Sequence, residues 1–222
     1  MEEHIVRILS TEQVTHDVKR FRIEKPEGYS FIPGQATEVS VNTPELKNEK
    51  RPFTFTCLNR DPFLEFTIKI YPSHNGITNE LGKLNPGAEL IIRDVWGAIS
   101  YKGNGVFIAG GAGITPFISI FRDLHTKNKI YGNTLIFANK TKADIILESE
   151  LSDMLGDAFI NILSDEKNDD YFHGMINEDF LKNHLGNLNR KFYVCGPPPM
   201  MNAVLKQLDN LGVGKNSITL EL

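Results

Sequence analysis

Gly105-Val106-Phe107-Ile108-Ala109-Gly110-Gly111-Ala112-Gly113-Ile114-Thr115-Pro116 is the stretch that decides the fold. Its apolar start shows no polar alternation, the pattern of a strand covered on both faces in a parallel sheet. Glycines follow at once. Pro116 then fits a first helical turn, where a missing N–H costs nothing. Ligands of open α/β sheets bind at this strand edge. Glycine lets the backbone approach a pyrophosphate closely, and a helix start offers free N–H groups to the anion. The spacing is not G-x-G-x-x-G, and a tight strand-to-helix connection would read the same way.

Downstream, the rhythm repeats. Buried-strand runs are expected at Thr134 to Ala138, Phe159 to Leu163 and Lys191 to Cys195. Helical patterns span Pro116 to Lys127, Ile145 to Leu155, Asn177 to His184 and Pro199 to Leu211. Alternating strands and helices predict βαβ units on a parallel sheet. The next strand-to-helix turn is Ala138-Asn139-Lys140-Thr141-Lys142. It has no acid at the strand end, although Asp144 is near. Lys140 or Lys142 could neutralise a 2′-phosphate or simply be solvated. Val194-Cys195-Gly196-Pro197-Pro198-Pro199-Met200 sets a thiol and a stiff backbone at the same sheet edge. A rigid loop with a buried structural cysteine is the alternative there.

Upstream, the pattern is β-structure. Val18 to Ile23 alternates with period two, and further strands are expected at Ala36 to Val41, Pro52 to Leu58, Phe63 to Tyr71 and Glu89 to Val95. Short strands at this spacing predict an antiparallel barrel or sandwich, interrupted by one helix over Thr78 to Leu84. The change of rhythm at Tyr101 to Gly105 divides the chain into domains 1–102 and 103–222.

Within the first domain, Arg51-Pro52-Phe53-Thr54-Phe55-Thr56-Cys57 carries a cation, aromatics and hydroxyls on one strand. Alternation puts Arg51, Phe53 and Phe55 on one face and Pro52, Thr54 and Thr56 on the other. Arg51 could hold a phosphate, and Phe53 offers a flat surface to a ring system. A barrel strand with core phenylalanines and a surface arginine reads equally well. Gly76-Ile77-Thr78 opens the helix as a second possible anion site, with Thr78 as a plain N-cap in the alternative.

Composition excludes several classes. With 28 acidic and 24 basic residues among 222, the net charge of −4 provides no field to hold nucleic acid. Two cysteines cannot build a disulfide framework, a four-thiolate zinc site or a four-cysteine iron–sulfur cluster. The six histidines are scattered without paired ligand spacing, so no metal is expected. No apolar run approaches the ~20 residues of a membrane helix, and the acidic start lacks a signal-peptide stretch. A soluble, cytoplasmic protein is expected.

The order of these motifs resembles the ferredoxin–NADP reductase superfamily, which includes flavodoxin and ferredoxin reductases, along essentially the whole chain. The resemblance implies a β-barrel that binds FAD, rather than FMN, and a Rossmann-like domain that takes NAD(P)H. It places Arg51 on the flavin phosphate, with Pro52 beside it, Phe53 near the isoalloxazine and Thr54 by flavin N5. Phe53 lacks the hydroxyl of the family's tyrosine, and Thr54 adds a methyl to the family's serine. The second flavin segment would fall on Ile68, Lys69 and Ile70, with the backbone of Lys69 and Ile70 meeting the ring and ribityl chain. Gly76, Ile77 and Thr78 would meet the pyrophosphate. Gly110, Gly111, Gly113, Thr115 and Pro116 would hold the nicotinamide nucleotide, joined by Asn139 and Lys140. Cys195, Gly196, Pro197 and Pro198 would face nicotinamide C4, and Glu221 stands for the family's near-terminal acid. Thr54, Cys195 and Glu221 are the implied catalytic set. Many members end in an aromatic residue, whereas this chain ends Leu220-Glu221-Leu222.

The implied activity is hydride transfer from NAD(P)H to bound FAD. Electrons then pass to a separate carrier: flavodoxin, ferredoxin, a free flavin or a haem protein. Lys47, Lys50 and Arg51 cluster where an acidic carrier could dock, or where the loop is simply solvated. A monomer is expected. The alternatives are an NAD(P)H:flavin oxidoreductase that uses flavin as substrate, and a non-catalytic flavin-binding redox sensor or electron-transfer subunit.

Overall fold

A computed structural model describes residues 2–73, 76–97 and 99–220. The N-terminal half is antiparallel. It comprises β1 (His4–Thr15), β2 (Val18–Glu24), β3 (Ala36–Val41), β4 (Arg51–Thr54), β5 (Phe63–Lys69), α1 (Ile77–Lys83) and β6 (Glu89–Trp96). The strands lie in the order β4-β3-β6-β1-β2-β5. An antiparallel bridge between Phe55 and Phe66 joins the two ends, which closes the sheet into a barrel.

Period-two alternation turns Phe21 and Ile23 of β2 inward. They meet Val39, Phe55, Leu64, Phe66 and Ile92 in one core. The Phe55 ring stacks on Phe31 at 4.3 Å and lies 5.2 Å from Phe66. Helix α1 buries Ile77 and Leu81 on this core. The strand expected over Pro52 to Leu58 ends at Thr54. Beyond it the chain bends into a turn in which the Leu58 N–H donates to Asp61 Oδ2 at 2.8 Å.

The C-terminal half is parallel. It comprises β7 (Gly105–Gly110), α2 (Thr115–Thr126), β8 (Thr134–Asn139), α3 (Glu148–Leu155), β9 (Phe159–Leu163), β10 (Phe172–His173), α4 (Glu178–His184), β11 (Lys191–Cys195), α5 (Pro198–Asn210) and β12 (Ile218–Leu220). A 3-10 turn over Gly111–Ile114 links β7 to α2. The strand order is β10-β9-β8-β7-β11-β12. The chain therefore runs outward one way from β7 and the other way from β11. The boundary between these two neighbours is the topological switch point. One sheet face is packed by Val106, Ile108, Ile136, Phe192 and Val194 against Leu181, Val204 and Leu208 from the helices.

Helix α3 starts at Glu148 rather than Ile145, because Leu147 adopts a left-handed φ of 53° that breaks helical propagation. Strands β10 and β12 have two and three residues, too few to show a period in the sequence. The compact units are 1–100 with 115–123, and 101–114 with 124–222. The chain thus crosses between units three times, where the sequence suggested a single change. The link after residue 100 is fixed within the second unit: the Lys102 N–H donates to the Tyr193 hydroxyl at 2.8 Å, and that hydroxyl donates to the Gly103 carbonyl at 2.8 Å. No helix among the described residues is long and apolar enough to cross a membrane.

Candidate functional site

In the first unit, β4 carries the Arg51 motif. Arg51 is exposed at the strand start, where its Nη1 donates to the Lys50 carbonyl at 2.7 Å. Its guanidinium has no carboxylate partner among the described residues. Most of its donors are therefore free for an anion. Phe53 is half-buried and packs on the barrel core, with its ring 6.4 Å from Phe66. Thr54 is 7% exposed, and its hydroxyl has no hydrogen-bond partner among the described residues. The expected alternation holds: Phe53 and Phe55 join the core, whereas Thr56 Oγ1 turns to Glu65 Oε1 at 3.0 Å.

Strand β5 and the residue after it already have partners within the barrel. Ile68 is buried in the barrel core. Lys69 Nζ pairs with Asp17 Oδ2 at 2.8 Å, and the Ile70 N–H donates to the Asp17 carbonyl at 2.7 Å. Ile70 therefore has only its carbonyl left to offer a ligand. At the start of α1 the cap is Gly76, not Thr78. Gly76 is extended, with φ −108°, and its carbonyl accepts the Asn79 N–H at 3.0 Å. The helix therefore begins at Ile77, which leaves the first-turn N–H groups of Ile77 and Thr78 without intrahelical acceptors. His74 and Asn75 lie outside the described residues.

Glu65 is a site the sequence did not reveal. It is 1% exposed and accepts from Arg122 Nη1 at 2.7 Å and from Arg22 Nε at 3.0 Å. Burial alone would raise its pKa. The guanidiniums of Arg122 and Arg22 outweigh burial and hold the carboxyl below the usual carboxylate range. The cross-strand pairing of Arg22 with Glu65 is local to β2 and β5, but Arg122 comes from α2. Beside it, Cys57 Sγ accepts the Glu65 N–H at 3.1 Å, and burial pushes the Cys57 thiol up to about 12. That thiol is inert at neutral pH.

In the second unit, the two turns that flank the switch point pack on each other. Gly113 has no room for a side chain: a Cβ there would lie 2.6 Å from the Gly196 Cα and closer still to the Cys195 carbonyl. A Cβ on Gly110 would lie 3.1 Å from Pro197 Cδ and collide with Met200 Sδ. Gly110, Gly113, Cys195, Gly196 and Pro197 are therefore one assembly. Cys195 is buried at the end of β11 and is not in a disulfide. Pro197 caps α5, with Pro198 in its first turn. Thr115 and Pro116 open α2, in the stretch 115–123 that belongs to the first unit.

Asn139 ends the neighbouring strand, one residue beyond the Ala138 that pairs with Gly110. It is 8% exposed, and neither Oδ1 nor Nδ2 has a partner among the described residues. An orphaned buried amide at a ligand-binding strand edge is a donor–acceptor pair ready for a polar ligand. Lys140 is exposed. Asp144 does not reach out to a ribose; it accepts the Thr141 N–H at 2.9 Å in a capping box. Lys142 lies 5.4 Å over the Tyr171 ring, and its N–H is taken by Glu166 Oε2 at 2.8 Å. Glu221 lies outside the described residues.

The residues present fit both nucleotides. The first unit has a guanidinium without a carboxylate partner among the described residues and first-turn N–H groups without intrahelical acceptors; the second has a close-packed glycine turn and a buried amide without a partner among the described residues. Known proteins match in the same order. Residues 6–101 match the oxidoreductase FAD-binding domain, and residues 107–206 match the oxidoreductase NAD-binding domain. NADH-cytochrome b5 reductase 2 of Mycosarcoma maydis is 31% identical over 214 residues, 85% of this chain and 60% of that protein. The chain thus spans only part of that relative. NADH-cytochrome b5 reductase 1 of Coccidioides immitis is 30% identical over 235 residues, 94% of this chain and 75% of that protein. The flavohem-like FAD/NAD-binding domain of nitric oxide dioxygenase from Vibrio cholerae superposes with a TM-score of 0.87 at 21% identity, covering 99% of this chain and 98% of that one.

Proposed function

Because the chain belongs to the ferredoxin–NADP reductase-like FAD- and NAD-binding oxidoreductases, we propose that it is an NAD(P)H-dependent flavoprotein reductase that passes electrons to a separate acceptor. FAD, when bound, supplies the acceptance of a hydride and its release as single electrons or a pair. The observation that carries the reading is the Gly113–Cys195 contact at the switch point, with the orphaned Asn139 amide beside it.

Each residue then has a defined task. Arg51 neutralises the flavin phosphate, and the N–H groups of Ile77 and Thr78 add donors to it. Thr54 offers a hydroxyl to the ring nitrogen, and Phe53 gives the ring an apolar edge. Gly110, Gly113 and Asn139 seat the nicotinamide nucleotide. Cys195 orients its reacting carbon by packing, without covalent chemistry. We assign the flavin to residues 1–102 and the nicotinamide to residues 103–222.

NADH is the favoured donor. The N–H at the start of the Lys142 turn, which a 2′-phosphate would use, is already held by the Glu166 carboxylate. A phosphate there would meet that negative charge. The relatives' names also specify NADH and cytochrome b5, which supports a haem protein as the acceptor. The deciding experiment is an absorbance spectrum of the purified protein, followed by anaerobic titration with NADH and with NADPH. A flavin spectrum bleached preferentially by NADH is expected. A colourless protein that cannot be reconstituted with FAD would overturn the reading.

A further inference from the structure

Arg93 on β6 is a cation with 1% exposure, outside the Arg51 and Gly76 motifs. Ile92, its neighbour, points into the barrel core, so Arg93 points outward. The guanidinium reaches three separate chain segments at once. Nε donates to Glu3 Oε1 at 2.8 Å, Nη1 to Ser40 Oγ at 3.1 Å, and Nη2 to the Lys47 carbonyl at 3.2 Å. Lys47 lies within the connection 42–50 between β3 and β4. That connection is a run of tight turns: the Lys47 N–H donates to the Thr43 carbonyl at 3.0 Å and the Glu49 N–H to the Leu46 carbonyl at 2.9 Å. It runs directly into Arg51.

Arg51 is itself lightly held. Its guanidinium donates to the Lys50 carbonyl next door, and its backbone pairs with Val39 at the end of the β3–β4 ladder. The place of the Arg51 side chain therefore depends on the path of 42–50. We propose that Arg93 is a positioning residue for the flavin phosphate site: it clamps the 42–50 connection through the Lys47 carbonyl and so presets Arg51. This rests on the assignment of FAD to the barrel. Only a planar fork of five donors serves all three segments together; a lysine ammonium in the same place cannot span them.

A simpler role is possible for a buried arginine, namely to hold β3 to β6 without regard to Arg51. A thermodynamic cycle separates the two. FAD is titrated into apo-protein of the wild type, Arg93→Lys, Arg51→Ala and the double variant. Arg93→Lys is expected to weaken FAD binding about tenfold, the scale of one charge-assisted hydrogen bond. The double variant is expected to bind no more weakly than Arg51→Ala alone. Losses that multiply, or an Arg93→Lys protein that binds FAD like the wild type, overturn the proposal. Amide hydrogen exchange on the apo-proteins is the second readout. Faster exchange confined to residues 46–51 supports the clamp, and faster exchange across the whole barrel overturns it. A wild-type protein that takes up no FAD would sink the functional reading instead, while the exchange pattern would still judge the clamp.

Discussion

Gly113 and Cys195 touch backbone to backbone, so closely that a single methyl group on Gly113 would overlap the Cys195 carbonyl. The contact joins the turn after β7 to the turn after β11 across the switch point. Gly113→Ala must push these turns apart. Sub-ångström misplacement of a reacting group is costly, so kcat/KM for NADH is expected to fall about 100-fold. The barrel is untouched, so bound FAD and its absorbance should stay as in the wild type. Steady-state kinetics beside a flavin-to-protein absorbance ratio make the comparison, and wild-type kinetics would contradict the assigned packing.

Cys195 itself is buried at the end of β11. If it orients the nicotinamide by contact, Cys195→Ala should lower turnover about tenfold and leave FAD bound. Rapid anaerobic mixing with NADH isolates the reductive step. An unchanged rate of flavin bleaching at saturating NADH would remove Cys195 from the site.

Glu65 ties β5 to α2 through Arg122. Its folded pKa lies below the unfolded value, so its contribution is present above the unfolded pKa of about 4.3 and is lost as pH falls through the folded value. The thermal midpoint of the wild type should therefore drop on acidification below about pH 4. Glu65→Gln leaves Arg122 facing a neutral group and should cost about 3 kcal/mol at neutral pH. Its midpoint should then fall less steeply in acid. Parallel pH profiles of the two proteins would refute the linkage.

Glu166 holds the Lys142 N–H with a charged oxygen. Glu166→Gln keeps an acceptor and removes the charge. The ratio of kcat/KM for NADPH to that for NADH should rise about fivefold, the scale of one screened charge at this range. A ratio that does not move would mean that this carboxylate does not face the 2′ position.

Much of the fold was legible because it is written in local patterns. Alternation over Val18 to Ile23 and unbroken apolar runs such as Val106 to Ala109 mark two kinds of strand within a few residues. The Gly-rich turn and the Cys-Gly-Pro-Pro loop could each be placed at a strand end. Thr78 was misread as a possible cap, because a glycine with extended backbone can end a helix without any side-chain bond. The backbone of Lys69 and Ile70 was implied to meet the flavin, and no local pattern shows that the Ile70 N–H is held by the Asp17 carbonyl.

By itself, then, the sequence determined a barrel half followed by a parallel half, and the order of their ligand-binding turns, because side-chain period and glycine placement act over short stretches. Only the tertiary structure decided that Gly113 meets Cys195, that Arg122 neutralises Glu65, that Arg93 grips Lys47, and that the Asn139 amide has no partner among the described residues. Those facts depend on which distant segments become neighbours. A buried charge or amide takes its meaning from partners that no local period encodes.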